Sequence, residues 1–516
     1  MTLLNRDTID FLLHDWLGED REHAAILDLA EQLATDQFLN HFKAADQDEA
    51  QLLDDGSVYT HAAMGQAMVA YREAGLFALS FPEDLGGPGL PSLVSAAASL
   101  FFAAANPATA GFCMLTAGNA RLISRYGAPE QVATFAMPQI EGRWFGTMCL
   151  SEPEAGSSLA DIRTRAEAVG DGSYRLKGNK MWISSGDHEV SENIVHLVLA
   201  KLDGAISLFI VPKYLTDGTR NHVSVAGLNH KMGYRGLPNC LLNFGEQEGA
   251  VGYLVGEAGS GLKIMFMMMN EARIAVGAGA AAIAARGYEL SKVYAAERKQ
   301  GRQDPKGPQV TIDQHPDVQR MLMQQQVYAE GGLALVLWAA KLEQDHSPLL
   351  DLITPVAKAW PSEFGVKSND LAIQVHGGYG YTRDFDVEQL YRDQRLNPIH
   401  EGTNGIQAQD LLLRKIMKDQ GKAFGGLMKL NAKGSPELKP WQDRLIQATQ
   451  KLAQAGPAKA IELATPYQFA FSHLLLAHIW LSQAKLDAGR QAACDFFMTW
   501  ELPEIGPKLD LIAANT

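Results

Sequence analysis

Cysteine is scarce in this chain of 516 residues. The four cysteines, Cys113, Cys149, Cys240 and Cys494, lie far apart and form no Cys-x-x-Cys pair. This pattern argues against a structural zinc site, which needs closely spaced ligands, and against a disulfide framework. We therefore expect no bound metal and a reducing compartment, the cytoplasm.

Long apolar runs are also missing. The longest, IAVGAGAAAIAA (Ile274 to Ala285), is well short of the roughly 20 residues that a helix needs to cross a bilayer. We expect no integral membrane segment, and we predict that this run is a buried helix whose small residues permit close packing. Acidic residues interrupt the apolar residues at the N-terminus, so we expect no signal peptide.

An excess of positive charge is absent too. The formal net charge of −14 argues against a general nucleic-acid binder. A basic patch near the C-terminus would be needed for that role, but in residues 421–516 lysine and arginine barely outnumber the acids. With 47% hydrophobic and 20% charged residues, the composition is that of a soluble globular protein, and its length predicts several domains.

The pattern along the chain changes from helix to strand and back. Residues 1–142 show mostly helical periodicity, and residues 143–258 contain short β-rich runs separated by glycine, aspartate and asparagine. Helical patterns return in residues 259–420 and again in a C-terminal extension, residues 421–516. Within the extension, the Gly/Lys/Pro-rich stretch 422–440 is predicted to be a linker or a long loop. Segregated elements in this order predict the α+β class.

Two motifs lie in or beside predicted strands. CLSEPEAGSS (Cys149 to Ser158) enters a loop of small and hydroxyl residues, which can direct N–H groups and hydroxyls at a polar ring edge or a phosphate. KMWISSG (Lys180 to Gly186) places Trp182 and Ser184 on one strand face, where they could cover an aromatic ring and bond its edge. Taken singly, a plain β-turn and a strand with a core tryptophan are the simpler interpretations.

Two more motifs lie in the second helical region. QVHGGYGYT (Gln374 to Thr382) has glycines that let a backbone approach a ligand, but a predicted helix precedes it. It is therefore not a dinucleotide-binding strand–turn–helix fingerprint, and a helix C-terminus with a glycine stop is the simpler alternative. Arg298, in AAERKQGR, ends a long predicted helix as either a solvated arginine or a phosphate ligand.

The octapeptide HEGTNGIQ (His400 to Gln407) allows two interpretations. Thr403 or Asn404 is a suitable cap for the helix that follows, and an acid near a helix N-terminus suits the helix dipole. A carboxylate beside glycine can also be a catalytic base. The octapeptide alone does not decide between these roles for Glu401.

Together, in this order and at these separations, the motifs resemble those of the acyl-CoA dehydrogenase family, a set of FAD enzymes. The resemblance covers roughly residues 77–418. FLLHDWL near the start and the tail WLSQAKLDAGRQAACDFFMTWELPEIGP resemble an extended branch that includes 3-methylmercaptopropionyl-CoA dehydrogenases. The resemblance implies a helical N-terminal domain, a central β-barrel or sandwich, a C-terminal four-helix bundle and an extra helical appendage.

On this resemblance, Glu401 is the base that removes the α-proton of an acyl-CoA thioester while a hydride leaves the β-carbon for flavin N5. The backbone N–H of Glu401 and a ribityl hydroxyl of FAD hold the thioester carbonyl, which acidifies the α-proton. Burial should raise the pKa of Glu401 towards the working pH. The expected product is the trans-2-enoyl-CoA.

The resemblance assigns further residues one position at a time. The residues implied to bind FAD are Met148, Leu150, Ser151, Trp182, Ser184, Arg298, Gln374, Gly377, Gly378 and Thr403. The residues implied to lie on the substrate side are Ser157, Asn270, Arg273, His400 and Gly402.

The implied partners are an acyl-CoA substrate and an electron-transfer flavoprotein as electron acceptor. An acyl-CoA oxidase that uses O₂ is the near alternative, and a non-catalytic or nucleic-acid-associated flavoprotein of the same superfamily is the more distant one. Because the resemblance has Arg298 reaching FAD across a subunit boundary, we expect a homodimer or homotetramer. Apolar residues such as Trp480 and Phe497 predict that the extension packs on the preceding helices or on a neighbouring subunit.

Overall fold

The computed structural model describes residues 2–516, apart from the side chains of residues 267–269 and 432. Two compact units are present. The first comprises Met1–Asp28, Ser92–Ala104 and Arg273–Thr516, and the second comprises Leu29–Pro91 and Ala105–Ala272. Each unit is therefore assembled from segments that are distant in the sequence.

The elements follow the predicted order of helices, strands and helices. The α-helices are α1 (Arg6–Asp10), α2 (Ala24–Leu33), α3 (Phe42–Gln47), α4 (Ala62–Glu73), α5 (Ser92–Ala105), α6 (Pro107–Tyr126), α7 (Pro129–Gln131), α8 (Met137–Ile140), α9 (Gly261–Glu297), α10 (Pro316–Gln344), α11 (Leu350–His376), α12 (Val387–Gln394), α13 (Asn404–Gln409), α14 (Lys422–Gly434), α15 (Lys439–Ala455), α16 (Pro457–Glu462), α17 (Ala464–Ala484), α18 (Gln491–Phe496) and α19 (Ile505–Asn515). The strands are β1 (Gln51–Leu52), β2 (Val58–Tyr59), β3 (Trp144–Cys149), β4 (Arg165–Ala168), β5 (Tyr174–Ser184), β6 (Asn193–Leu202), β7 (Ala205–Pro212), β8 (Val223–Leu228), β9 (Asn239–Phe244) and β10 (Ala250–Val255). Short 3₁₀ and π-type turns extend several helices.

The strands of the second unit close into a ring. Strand β10 pairs with β5 through residues 250–252 and with β7 through residues 253–255. The pairs β7–β6, β6–β4 and β4–β5 complete the ring, while β9 and β8 continue from β5 and β3 runs parallel to β6. Buried residues such as Val198 and Phe209 fill the adjoining core. The predicted central β-barrel or sandwich is confirmed, whereas the short β1–β2 hairpin was not predicted.

The long helices of the first unit pack backbone against backbone at one point. A Cβ on Gly277 of α9 would lie 1.9 Å from the carbonyl oxygen of Ala357 on α11, so only glycine permits this approach. Most residues from Ile274 to Ala285 are buried. The prediction of a buried helix with small packing residues is therefore confirmed. Among the described residues, no helix is long and apolar enough to cross a membrane.

The prediction of a linker at residues 422–440 was wrong, because this stretch forms α14 and the start of α15. Phe424, Leu427 and Met428 are buried at helical spacing on one face of α14. Pro440 lies in the first turn of α15, where a missing N–H costs no hydrogen bond. Composition alone suggested a linker, but this apolar stripe packs α14 onto the first unit.

The C-terminal extension packs on the preceding helices, as predicted. The Tyr328 hydroxyl donates to the Glu501 carboxylate at 2.8 Å, and Arg490 pairs with Glu330 at 3.0 Å. The extension also meets the start of the chain, where Trp16 Nε1 donates to the Ser482 hydroxyl at 2.9 Å. The two segments that resemble the extended branch therefore contact each other.

Candidate active site

The first group of site residues lies in the second unit, at the end of β3. Strand β3 pairs with β6, and side chains of α6 bond the Gly146 N–H and the Thr147 carbonyl. Met148, Leu150 and Ser151 follow directly and are half-buried. Met148 and Leu150 pack against a core cluster that includes Leu122 and Ile123 of α6.

A buried ion pair ties the loop after β3 to strand β5. Lys180 is 0% exposed, and its ammonium donates to Glu152 at 2.9 Å and to the Leu150 carbonyl at 3.0 Å. Glu152 also accepts from the Arg163 N–H and from the N–H and hydroxyl of Thr164. Burial acts to raise the pKa of Glu152, but the Lys180 charge and these hydrogen bonds lower it overall. Burial lowers the pKa of Lys180, and Glu152 opposes that effect.

Trp182 projects from a bulge in β5. The register of the β5–β9 pairing shifts between Lys180 and Ile183, and Trp182 has a φ of 68°. Its side chain is 59% exposed, so the interpretation of Trp182 as a core tryptophan was wrong. Ser184 is half-buried, and its hydroxyl oxygen accepts from Asn239 at 3.2 Å. The bulge therefore presents a flat ring with a hydroxyl two residues away.

The serines of the loop after β3 differ in their surroundings. The Ser151 hydroxyl donates to the Met181 carbonyl at 2.8 Å, and the Met181 N–H donates back to the Ser151 carbonyl at 3.0 Å. The Ser151 hydroxyl therefore links the motif CLSEPEAGSS to the motif KMWISSG. Ser157, by contrast, is exposed and lies next to the exposed Gly156.

The second group lies in the first unit, around Glu401. The Thr403 hydroxyl oxygen accepts from the Ile406 N–H at 3.3 Å and caps α13. The capping role therefore belongs to Thr403. Glu401 adopts a left-handed φ of 52°, which is uncommon for a residue with a side chain. Among the described residues, its backbone N–H finds no hydrogen-bond acceptor.

Two donors hold the backbone just after Glu401. Gly402 has a φ of 85°, and a Cβ there would lie 2.6 Å from the side-chain nitrogen of Gln407. That nitrogen donates to the carbonyls of Glu401 and Gly402 at 3.0 and 3.3 Å. The ammonium of Lys358 donates to the same Gly402 carbonyl at 2.8 Å. Position 402 requires glycine because of both its conformation and the neighbouring Gln407.

Burial dominates the electrostatics of Glu401. It raises the pKa of this carboxyl, while the charges of Arg273 and Lys358 lower it and offset part of the rise. The direction agrees with the sequence expectation. Arg273 is 3% exposed and bonds Asp410 at 2.7 Å, so its charge acts from within an ion pair. Burial lowers the pKa of His400 to about 4, so its ring is neutral at pH 7.

The structure brings the Arg298 and QVHGGYGYT motifs together in the first unit. Arg298 directly follows α9, is exposed, and places its guanidinium 5.5 Å from the centre of the Tyr379 ring. Gln374 is exposed on the last turn of α11, which ends just before Gly377 as the glycine-stop interpretation predicted. A Cβ on Gly377 or Gly378 would meet nothing within 4 Å. The backbone here is open to a large ligand.

Several residues of these clusters escaped the sequence analysis. Glu152, Lys180 and Gln407 stood in quoted motifs without a role, while Lys358 and Asp410 were not considered. A signal existed for Lys358, which interrupts the otherwise uncharged run ITPVAKAWPS. Asn270, half-buried on α9, was assigned by the resemblance alone.

Within each unit, the residues present fit a part of FAD. The open backbone at Gly377 and Gly378 and the exposed guanidinium of Arg298 suit a pyrophosphate. The exposed ring of Trp182 and the backbone after Met148 suit an isoalloxazine ring. Among the described residues, no cluster of three or more His, Cys, Asp or Glu side chains could hold a metal ion.

A β-barrel between helical regions, with sites suited to FAD and a buried glutamate, defines a flavin-dependent oxidoreductase. Family models describe the same arrangement. The N-terminal, middle and C-terminal domains of acyl-CoA dehydrogenases match residues 20–143, 147–246 and 259–415, and the domain described as "Acetyl-CoA dehydrogenase C-terminal like" matches residues 431–516. The chain belongs to the acyl-CoA dehydrogenase family, whose members are FAD-dependent oxidoreductases. The predicted family, fold class, enzyme class and cofactor are thereby confirmed.

Relatives with curated names support this assignment. The chain is 38% identical over 442 residues to the 3-methylmercaptopropionyl-CoA dehydrogenase of Ruegeria pomeroyi, with 80% of this chain and 74% of that protein covered. It is 37% identical over 466 residues to the broad-specificity linear acyl-CoA dehydrogenase FadE5 of Mycobacterium tuberculosis, with 81% and 76% covered. An acyl-CoA dehydrogenase of Bacillus anthracis complexed with FAD shares the fold, with 23% identity, a TM-score of 0.82, and 99% of this chain and 91% of that chain covered.

Proposed function

We propose that the protein catalyses the FAD-dependent α,β-dehydrogenation of an acyl-CoA thioester to the trans-2-enoyl-CoA, with Glu401 as the base. The loop at Glu401 is the observation that carries this proposal. A carboxylate whose pKa is raised by burial is a stronger base, and it lies beside its own N–H, which has no acceptor among the described residues. Such an N–H suits the developing negative charge of a thioester carbonyl.

The backbone and the side chain of Glu401 have different roles in the reaction. The Glu401 N–H donates to the thioester carbonyl and stabilises the charge that develops there as the α-proton leaves. The Glu401 carboxylate takes that proton. FAD, held by the residues named below, would supply the acceptor for the hydride that leaves the β-carbon, and the α,β-double bond would form with that transfer. His400, neutral at pH 7, adds no charge beside the acyl chain.

Further roles in the proposal follow the family motifs. FAD contacts are proposed for Met148, Leu150, Ser151, Trp182, Ser184, Arg298, Gln374, Gly377, Gly378 and Thr403. Substrate contacts are proposed for Ser157, Asn270, His400 and Gly402, and an electrostatic contribution for Arg273, since Asp410 already holds its guanidinium. The division at residues 142, 258 and 420 into four domains is part of the same proposal.

The proposal extends to partners and setting. Electrons pass to an electron-transfer flavoprotein, and the enzyme is a homodimer or homotetramer in which the exposed Arg298 reaches FAD of a neighbouring subunit. A reducing compartment, the cytoplasm, is supported by the four cysteines, which are all buried and unpaired.

An anaerobic titration with saturated acyl-CoA thioesters tests the proposed reaction. A panel of butyryl-, octanoyl-, palmitoyl- and 3-methylmercaptopropionyl-CoA should include at least one substrate that bleaches the flavin absorbance. Glu401→Gln should bind that substrate and shift the flavin spectrum, because the backbone N–H is unchanged. It should reduce its flavin roughly 10²–10⁴-fold more slowly, the usual cost of losing a general base.

Glu130→Gln is the matched control, because Glu130 is exposed on α7 in the second unit. It should reduce its flavin at the wild-type rate. Near wild-type reduction by Glu401→Gln would exclude Glu401 as the base. Rapid reoxidation of the reduced wild type by O₂, with no transfer to an electron-transfer flavoprotein, would identify an oxidase instead.

A further inference from the structure

A lysine is buried beside the loop that carries Glu401. Lys358 lies in the middle of α11, between Pro355 and Pro361, and is 0% exposed. Its ammonium donates to the Gly402 carbonyl at 2.8 Å and to the side-chain oxygen of Asn404 at 3.5 Å. Both acceptors are neutral, so the positive charge is buried without a carboxylate as its hydrogen-bond partner.

Burial of a lysine among neutral hydrogen-bond acceptors disfavours its charged form. It lowers the pKa of Lys358 to about 7, with the charge of Glu401 acting in the opposite direction. A methionine or leucine would fill the same volume without this cost. The position therefore calls for an explanation other than packing.

The contact at Gly402 offers that explanation. Glu401 and Gly402 are consecutive residues with left-handed φ, a conformation that persists only when surrounding groups hold it. The Gln407 amide and the Lys358 ammonium converge on the Gly402 carbonyl from α13 and α11. Together they fix the peptide that follows Glu401, and with it the direction of the Glu401 side chain and N–H.

We propose that Lys358 is a positioning residue of the active site, which holds the Gly402 carbonyl to orient Glu401 and supplies a positive charge that keeps the Glu401 carboxylate ionised. This inference rests on the proposed function of Glu401 as the base. Lys358 itself touches neither the acyl chain nor the flavin in this scheme. It acts through the loop.

The charges that face Glu401 come from several elements. Arg273 on α9 is paired with Asp410, and Lys358 on α11 is held by neutral oxygens. His400, on the same loop, is neutral at pH 7 because burial lowers its pKa to about 4. Glu363 on α11 is a further acid, and it accepts from Asn404 at 3.2 Å.

The removal of Lys358 leaves Arg273 as the cation that lowers the pKa of Glu401. The pKa of Glu401 then rises. Only the ionised carboxylate can accept the α-proton, so the rate falls on the acidic side of the pH–rate profile. This fall, the acid limb, must move to higher pH when the pKa of Glu401 rises. A residue that serves packing alone would not move that limb.

The test compares Lys358→Met with Lys358→Arg, using Lys367→Met as the matched control. Lys367 is an exposed lysine on the same helix. Flavin reduction by the best acyl-CoA of the wild-type panel is followed by stopped flow from pH 5.5 to 9. FAD content, substrate affinity from the spectral shift, and melting temperature are measured in parallel.

Lys358→Met should retain FAD, reduce it roughly 10²-fold more slowly, as expected for a misplaced catalytic group, and shift the acid limb upward by about one pH unit. Lys358→Arg keeps the charge, so its acid limb should stay within a few tenths of the wild-type value even if its rate falls. Lys367→Met should match the wild type in both measurements.

Gln407→Leu provides a second, charge-neutral variant. It removes the other donor to the Gly402 carbonyl, so it should slow reduction without moving the acid limb. If Lys358→Met does not fold, Lys358→Arg and Gln407→Leu carry the test, and an acid limb that moves in Lys358→Arg, or a wild-type rate in Gln407→Leu, would overturn the proposal.

Two failures are distinguishable. A wild type that no acyl-CoA reduces would overturn the proposed function and this inference together. If acyl-CoA reduces the flavin of the wild type, and Lys358→Met has the same rate and the same acid limb, the inference alone is overturned.

Discussion

Replacing Glu152 with glutamine should destabilise the second unit more than replacing its partner Lys180 with methionine. In Glu152→Gln the Lys180 ammonium, which is 0% exposed, loses its carboxylate partner and keeps only neutral acceptors such as the Leu150 carbonyl. In Lys180→Met the Glu152 carboxylate keeps the three donors supplied by Arg163 and Thr164. Glu152 therefore has more remaining hydrogen-bond partners without Lys180 than Lys180 has without Glu152.

The expected magnitude follows from this difference. Removing one partner of a buried pair and leaving the other charge uncompensated costs about 3–5 kcal/mol. In Lys180→Met the Glu152 carboxylate retains its other hydrogen bonds, so this variant should lose only about 1–3 kcal/mol of stability. For a unit of roughly 150–250 residues, each kcal/mol lowers the melting temperature by about 2–4 °C. Glu152→Gln should thus melt at least ~6 °C lower than the wild type.

Thermal unfolding followed by circular dichroism and by flavin fluorescence measures this loss. The control is Glu154→Gln, because Glu154 forms an exposed pair with Arg163 and such pairs contribute little. The double variant Glu152→Gln/Lys180→Met should be more stable than Glu152→Gln alone, since no unpaired ammonium remains. Equal melting temperatures for Glu152→Gln and Glu154→Gln would refute the reasoning.

Four further outcomes are expected. The pKa of Glu152 is lowered in the folded protein, so its stabilising effect is present above about pH 4.5 and is lost as pH falls through the folded-state pKa. The melting temperature of Glu152→Gln should therefore vary less with pH in acid than that of the wild type. Arg298→Ala should weaken FAD binding roughly 10–100-fold, whereas Arg302→Ala, at another exposed arginine, should not. Sedimentation should find a dimer or tetramer with FAD released by acid; a stable FAD-loaded monomer, or flavin left on the precipitate, would contradict this. Truncation after Lys418 should give insoluble or less stable protein, and full activity at an unchanged melting temperature would speak against a structural extension.

The order of the domains was predictable because each periodicity is local. NIVHLVLAKL and AISLFIVPK are β-rich runs bounded by polar and glycine residues, and they form the paired strands β6 and β7. The helical run from Ile274 to Ala285 was equally clear from its small apolar residues. Such patterns report which face of an element is buried without reference to the rest of the chain.

Features that depend on distant partners were not predictable in this way. Lys358 interrupts an uncharged run, which marks it as unusual, but its acceptor lies 44 residues further along the chain, so the surrounding helix does not show what it binds. The bulge at Trp182 arises from a register shift against β9, which alternation within β5 does not reveal. In α14 the signal was present, but glycine and proline content received more weight than the spacing of Phe424, Leu427 and Met428.

The discontinuity of the first unit has a consequence for the newly made chain. On the ribosome, residues up to Ala272 emerge first, and they include all of the second unit. The segments Met1–Asp28 and Ser92–Ala104 must wait for partners in residues 273–516, such as Gln344, which bonds both Leu93 and Glu19. Trp16, for example, is separated from its acceptor Ser482 by 466 residues.

Until the last of these partners is made, Ile9, Leu12 and Leu13, which are buried in the folded protein, can remain exposed to other nascent chains. Loop closure over such a distance adds little entropy cost, because that cost grows only with the logarithm of length. The delay itself is the hazard, since transiently exposed apolar segments aggregate. Chaperone demand should therefore be concentrated on the N-terminal segment, and a chain that stops before α17 should be the form that chaperones retain.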